Sequence, residues 1–287
     1  MAEYRLIFVA VGPFKTGTTW IYEYLKMHDK ICVPNRTKET FFFDKKYSKG
    51  IDYYFSYFDQ DNTNKILGEI APSYFHSPEA PYRIHDLNPN CKIIVTLREP
   101  IDRLISYYLH MLRRGDIGKE TSFRDVLQQG TILNSSRYYY HLSRWISLFG
   151  AANVKILYYE LLRDKPDKFV KYLCQALGVK NLAVPPKLSR RINTALVPIN
   201  YDLIRVLYKT TRLLRKRELH GIVNFAKSLG WHNLLFNKNY KLDSIPPEEL
   251  EYALTLISED IKMLEESLGL DLSVWREDWH RKNLTIY

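Results

Sequence analysis

Residues 6–27 read LIFVAVGPFKTGTTWIYEYLKM, and the rest of the chain can be laid out from them. The apolar run Leu6–Val11 stops at Gly12 and Pro13. A turn of small polar residues follows, and Trp20, Ile21, Tyr24 and Leu25 then recur at helical spacing. This pattern predicts strand, tight loop and helix, in which backbone N–H groups and a helix N-terminus converge on an anion. Gly12, Gly17 and Thr19 fall in register with the phosphate-binding pattern G-x-x-x-x-G-K-[ST]. The lysine of that pattern does not: position 18 is Thr18, and the lysine stands three residues earlier as Lys15. From the loop's shoulder Lys15 can reach a bridging phosphate oxygen, with Thr16, Thr18 and Thr19 supplying hydroxyl donors. Such a set suits one terminal phosphate better than a β,γ pair with its magnesium. A Gly/Thr turn that merely joins strand to helix is the bland alternative.

A second strand-helix unit narrows the choice. The segment Lys92–Leu97, KIIVTL, is apolar on both faces, as a central parallel strand should be, and a helix is predicted from 100 to about 113. The strand ends in Arg98, where magnesium-dependent nucleotide chemistry would favour an aspartate. A guanidinium there, with Ser106 on the following helix, can grip a second phosphate through charge-assisted hydrogen bonds.

The string KTGTT resembles the 5′-phosphosulfate loop of sulfotransferases that use 3′-phosphoadenosine 5′-phosphosulfate (PAPS), and LREPIDRLISYY resembles their 3′-phosphate motif. The resemblance implies that Lys15, Thr16, Gly17, Thr18 and Thr19 hold one end of PAPS, and Arg98 and Ser106 the other. It covers residues 6 to about 180. It implies a single domain over 1–287 with a phosphate-loop α/β fold: a central parallel sheet flanked by helices, with residues 1–180 as the PAPS-binding core. Residues 181–287 would add a basic loop and a helical C-terminal region.

Within 31–58 (ICVPNRTKETFFFDKKYSKGIDYYFSYF) the chain reads as aromatic and irregular. By charge pattern alone, Lys38 and Glu39 make a solvated ion pair more readily than a tuned base. K-E-x-x-F-F-D followed by K-G-x-x-Y-Y resembles heparan sulfate sulfotransferases, which implies that Glu39 is the catalytic base. Phe41, Phe42, Phe43, Tyr53 and Tyr54 are candidates either for stacking on sugar rings or for the core. Strands are predicted at 65–69 and Val154–Tyr158, and helices from Pro78 to 88, over Tyr138–Phe149 and over Pro166–Leu177. The relatives carry E-K-[ST]-P after the third strand, whereas this chain has Glu69, Ile70, Ala71 and Pro72, without the lysine. His76 is a rival base and would place the acidic limb of a pH–rate profile nearer neutrality. The resemblance further implies Tyr138 near the nucleotide and Arg190 and Arg191 in a basic loop over the 3′-phosphate.

The reaction implied is in-line sulfuryl transfer from PAPS to a hydroxyl or amine, releasing 3′,5′-ADP and needing no metal. A small molecule or glycan, such as a saccharide or glycolipid, is the implied acceptor. A phosphate-loop kinase and a basic glycan- or membrane-binding module with a vestigial nucleotide site are the competing readings.

The 287 residues, 46% hydrophobic, suffice for one large α/β core. Cys32, Cys91 and Cys174 are too few and too scattered for a disulfide framework or a metal cluster, so a reducing, cytoplasmic setting is expected. The six-residue apolar run near the start is a core strand rather than a signal or anchor. The net charge of +10 asks for an anionic partner, and no nucleic-acid-binding signature accompanies it. Between positions 201 and 241 stand nine Lys/Arg against two acids, which is most of the excess. Residues 201–217 predict a basic amphipathic helix. A solvated face is the bland reading; peripheral contact with a lipid surface or an acidic glycan is the sharper one. A seam of Leu250, Leu254, Ile257, Ile261, Leu264 and Leu268 predicts one long helix packed on the domain.

Overall fold

The computed structural model describes residues 6–59, 65–189, 197–198, 201–216, 236–237 and 245–281. The order begins β1 (Leu6–Val11), α1 (Thr18–Leu25), β2 (Ile31–Cys32), α2 (Ile51–Phe55), β3 (Ile66–Ile70), α3 (Ala80–Leu87), β4 (Lys92–Leu97) and α4 (Pro100–Arg114). It continues with α5 (Phe123–Gln128), α6 (Thr131–Asn134), α7 (Tyr138–Phe149), β5 (Val154–Tyr158), α8 (Tyr159–Asp164) and α9 (Pro166–Leu177). The remainder is α10 (Pro186–Ser189), β6 (Val197–Pro198), α11 (Tyr201–Lys216), β7 (Phe236–Asn237), α12 (Pro247–Leu268) and α13 (Ser273–Arg281).

The first five strands form one sheet in the order β2-β3-β1-β4-β5, and every pairing in it is parallel. Side chains alternate across it, as the strand period demands. Phe8 and Ala10 of β1 and Ile94 of β4 face α1 and α9, where Trp20, Ile21, Leu25, Phe169 and Leu173 cover them. Val9, Val11, Ile93, Val95 and Leu97 face the opposite layer, built on Leu104, Leu142, Trp145, Ile257 and Trp275. The chain leaves β1 toward β3 and leaves β4 toward β5, so the strand order reverses between two adjacent strands. A crevice opens at their carboxyl ends, which is where doubly wound sheets bind ligands.

The segment 31–58 is more regular than its composition suggests. It contains β2, a π turn at Phe42–Lys46, a 3-10 turn at Tyr47–Lys49 and α2. Phe42, Phe43 and Tyr54 are almost fully buried and pack ring against ring at about 5 Å, which removes them from any sugar-stacking surface. Phe41 and Tyr53 keep part of their rings exposed.

The C-terminal helices are fastened to the sheet by polar contacts as well as apolar ones. Glu99 caps α4 by accepting the N–H groups of Ile101 and Asp102, both at 2.7 Å, and Trp279 donates its indole N–H to the same carboxylate at 2.7 Å. Glu160 accepts the Glu99 N–H at 2.8 Å and the Trp275 indole at 3.2 Å. Two buried carboxylates at the carboxyl end of the sheet thereby bind α13.

Candidate active site

The loop after β1 takes its shape from two glycines. Gly12 has φ 145°, and a Cβ there would lie 2.4 Å from the Thr96 carbonyl oxygen, so only glycine lets β1 and β4 approach this closely. Gly17 has φ 86° and stands at the N-cap of α1. Lys15 also adopts a left-handed backbone, φ 79°, which is uncommon for a residue with a side chain. The first helical bond of α1 runs from the Ile21 N–H to Gly17 O at 3.1 Å. The N–H groups of residues 18–20 lie outside the helix's own ladder and face the crevice as a helix N-terminus.

Thr16 departs from its expected part. Its side chain is fully buried, donates to Pro13 O at 2.9 Å and meets the Thr96 hydroxyl at 2.8 Å. With its proton engaged, the Thr16 side chain ties the loop to β4. The Thr18 hydroxyl accepts from Lys38 Nζ at 3.2 Å and keeps its own proton to give. Thr19 is half-buried on the first turn of α1.

Arg98 follows β4 and reaches across to the loop. Its guanidinium donates to Lys15 O at 3.3 Å, lies 3.9 Å from Asp102 and stacks over the Tyr159 ring at 4.6 Å. Ser106 is half-buried one turn beyond Asp102 on the same face of α4. That face continues to His110 and Arg113, which sequence reading missed although both keep helical spacing from Ser106. Their proximity registers in the charges. Lys15 is pushed down to about 8, first by burial and then by Arg113 and Arg98, and His110 is pushed down to about 3 by burial, Lys15, Arg113 and Arg114. Lys15, Arg98 and Arg113 thus crowd one half-buried crevice at a helix N-terminus. Like charges are held this closely, at a cost, where an anion is to be received.

Tyr138 sits behind this cluster. It is fully buried, and its hydroxyl donates to Arg98 O at 2.9 Å. Through that bond the buried Tyr138 ring backs Arg98. Arg103, also missed, is fully buried beneath it and donates to Ile132 O at 3.0 Å and to the Ser135 and Ser136 hydroxyls. Arg190 and Arg191 lie outside the described residues. The turn just before them is pinned on α1 by the Trp20 indole, which donates to Leu188 O at 2.8 Å.

Glu39 stands beside the loop in a setting unlike a wet ion pair. Lys38 Nζ lies 3.3 Å from Glu39 Oε1, and the two side chains are only 21% and 15% exposed. Because Lys38 also holds Thr18, the pair is joined to the N-terminus of α1. Among the described residues Glu39 Oε2 is buried without a hydrogen-bond partner. Burial raises its carboxyl above the ordinary range, against the opposing pull of Lys38. Behind it, Glu69 is fully buried, accepting the Thr40 N–H at 2.6 Å and the Tyr74 hydroxyl at 3.1 Å. Burial pushes Glu69 up to about 7. Ile70, where the relatives' lysine was missed, is fully buried.

His76 is also at hand. Its ring lies 6.0 Å from Phe14 of the loop, and its Nδ1 is buried without a hydrogen-bond partner among the described residues. Burial beside Arg103, Lys45 and Arg144 pushes it down to about 4, so it is neutral near pH 7. Among the described residues no group of three or more His, Cys, Asp and Glu is placed to hold a metal ion.

Residues 7–194 match the family described as "Sulfotransferase domain". The bifunctional heparan sulfate N-deacetylase/N-sulfotransferase 1 of Homo sapiens is 32% identical over 191 residues, which cover 60% of this chain and 22% of that protein. The Drosophila melanogaster bifunctional heparan sulfate N-deacetylase/N-sulfotransferase is 30% identical over 206 residues, covering 61% and 20%. The chain thus spans about a fifth of the length of these relatives. A sulfotransferase from Alicyclobacillus acidocaldarius shares the fold, with a TM-score of 0.64 at 22% identity over 95% of this chain and 99% of that one. By the match over 7–194 and the phosphate loop within it, the chain belongs to the sulfotransferase-domain family.

Proposed function

We propose that the chain transfers a sulfuryl group from PAPS to the hydroxyl or amine of a saccharide-type acceptor. The observation that carries this reading is the crevice between β1 and β4 at the N-terminus of α1, where the Arg98 guanidinium donates to the Lys15 carbonyl oxygen at 3.3 Å and, with Arg113, lowers the proton affinity of the Lys15 ammonium. Those cations and N–H groups suit a nucleoside phosphorylated at both ends. The 5′-phosphosulfate would lie on the N–H groups of residues 16–19 with Lys15, and the 3′-phosphate against Arg98 and Ser106.

Glu39 Oε2 takes the acceptor's proton as the acceptor oxygen or nitrogen attacks sulfur. The bond between sulfur and the bridging oxygen breaks, its electron pair stays on the 5′-phosphate, and Lys15 and the loop N–H groups stabilise that charge. The unpartnered Oε2 and its raised proton affinity support Glu39 as base. A saccharide-type acceptor is supported by the relatives, whose names give heparan sulfate N-sulfation. Cys32, Cys91 and Cys174 are buried and form no disulfide, which fits the proposed reducing, cytoplasmic setting. No helix among the described residues is long and apolar enough to cross a membrane.

Ligand-induced thermal shifts test the nucleotide site. Without metal, 3′,5′-ADP is expected to raise Tm more than 5′-AMP does, and Arg98→Ala should erase that difference. Stabilisation by ATP with magnesium but not by 3′,5′-ADP would make the site a kinase's.

A further inference from the structure

We propose that α11 docks the protein on an anionic lipid surface, a property independent of the sulfotransfer reading. Seen down its axis at about 100° per residue, the helix divides into three arcs. One faces the protein: Ile204 is buried, Tyr208 lies under the Arg114 guanidinium at 5.3 Å, and Arg205 Nε donates to Gly115 O at 3.1 Å. These contacts hold α11 at the C-terminal end of α4. The second arc is apolar and faces outward, with Leu203, Val206, Leu207 and Leu213 exposed by 47%, 59%, 39% and 62%. They recur at the spacings that place them on one stripe, with exposed Thr210 among them. Lys209, on the third arc, is exposed and borders this stripe, and position 216 falls on the same side of the helix. Over the whole helix five Lys/Arg face one acid, Asp202.

A merely solvated face has no reason to expose four large aliphatic side chains in register, and an acidic glycan would be met by the cations alone. A row of aliphatic residues edged by Lys209, on a helix of net positive charge, matches the boundary between acyl chains and anionic headgroups, with the apolar stripe inserted and the Lys209 ammonium among the phosphates. Since α4 also carries Ser106 and Arg113, the same contact would bring the β1–β4 crevice near the bilayer.

The experiment is flotation of the full chain with phosphatidylcholine vesicles, with and without phosphatidylglycerol, at low and high salt. Binding is expected only with phosphatidylglycerol, and should fall as salt rises. Val206→Asp with Leu213→Asp should weaken it by at least about tenfold, since both the buried apolar area and the charge balance suffer. Lys209→Glu should weaken it less and flatten its salt dependence. Both sites face solvent, so unchanged Tm and circular dichroism are expected for the variants. Failure to float with anionic vesicles at low salt would overturn the proposal, as would flotation that the double variant leaves intact. Sedimentation velocity gives a third test: a dimer that Val206→Asp with Leu213→Asp dissociates would make the stripe a self-association face. Retention on heparin that Lys209→Glu abolishes and the double variant spares, without flotation, would make the helix a glycan site.

Discussion

Lys15 is crowded by like charge before any ligand arrives. Burial and the guanidinium groups of Arg113 and Arg98 push its ammonium from an ordinary 10.5 down to about 8. A phosphate reverses the sign of that surrounding and favours the charged form. Affinity for 3′,5′-ADP is therefore expected to hold steady below pH 8 and to fall by up to about tenfold per pH unit above it, the limit for one linked proton. Titration calorimetry on both sides of pH 8 measures this, and Lys15→Ala should flatten the limb while lowering turnover at least about a hundredfold. An unchanged limb in Lys15→Ala would remove Lys15 from the site. For the base, burial reverses an order that the sequence suggested. His76 is pushed down to about 4 while Glu39 is raised, so a limb near neutrality no longer marks His76. Turnover of the two variants has to decide. Glu39→Gln is expected to lose about two to four orders of magnitude with donor affinity nearly intact. His76→Ala should keep most of its activity, and the reverse result would make His76 the base.

At the scale of elements, β1, α1, β4 and α4 were legible because local pattern and burial agree in them: apolar strands, a glycine turn and helical spacing. The segment from Glu39 to Asp44 was not. Its geometry comes from a partner far along the chain, since Glu69 at the end of β3 grips the Thr40 N–H and Tyr74 receives the N–H groups of Phe42 and Phe43 at 3.0 and 3.3 Å. No periodicity announces a clamp of that kind. The same blindness to long-range contacts hid the inward turn of Thr16 and the burial of Tyr138. Glu69 ought to be visible in stability. Its folded pKa of about 7 lies above an ordinary 4.5, so folding favours the protonated form. Its contribution is complete below about 4.5 and is lost as pH rises to about 7. Glu69→Gln cannot ionise, yet its carbonyl oxygen can accept from Thr40 and its amide can donate to Tyr74, whose own proton then turns to Thr40 Oγ1 at 3.1 Å. Urea midpoints across that pH window should decline in the native protein and stay flatter in Glu69→Gln. Parallel curves would mean that Glu69 keeps one protonation state throughout.

For the whole molecule the question is where the folding unit ends. The family match stops at residue 194, but the core does not. Leu254, Ile257, Ile261 and Leu264 of α12, with Trp275 and Trp279 of α13, are buried in the same cluster as β1, β4 and α7. At roughly 1.5–3 kcal/mol for each buried side chain, these six contribute about as much as the 5–15 kcal/mol net stability of a domain. Removing them would also strip Glu99 and Glu160 of their indole donors while uncovering Trp145 and Leu142. Buried carboxylates left short of partners cost more than the hydrogen bonds themselves were worth. A fragment of residues 1–194 is therefore expected to lose cooperative unfolding and to aggregate or bind a hydrophobic dye, with no Tm shift on adding 3′,5′-ADP. Calorimetry of the fragment beside the full chain makes the comparison. A fragment that melts in one sharp transition near the full chain's Tm would show that α12 and α13 are an accessory layer. In that event the carboxyl end of β4, with Arg98 and the cap of α4, would hold its shape without them.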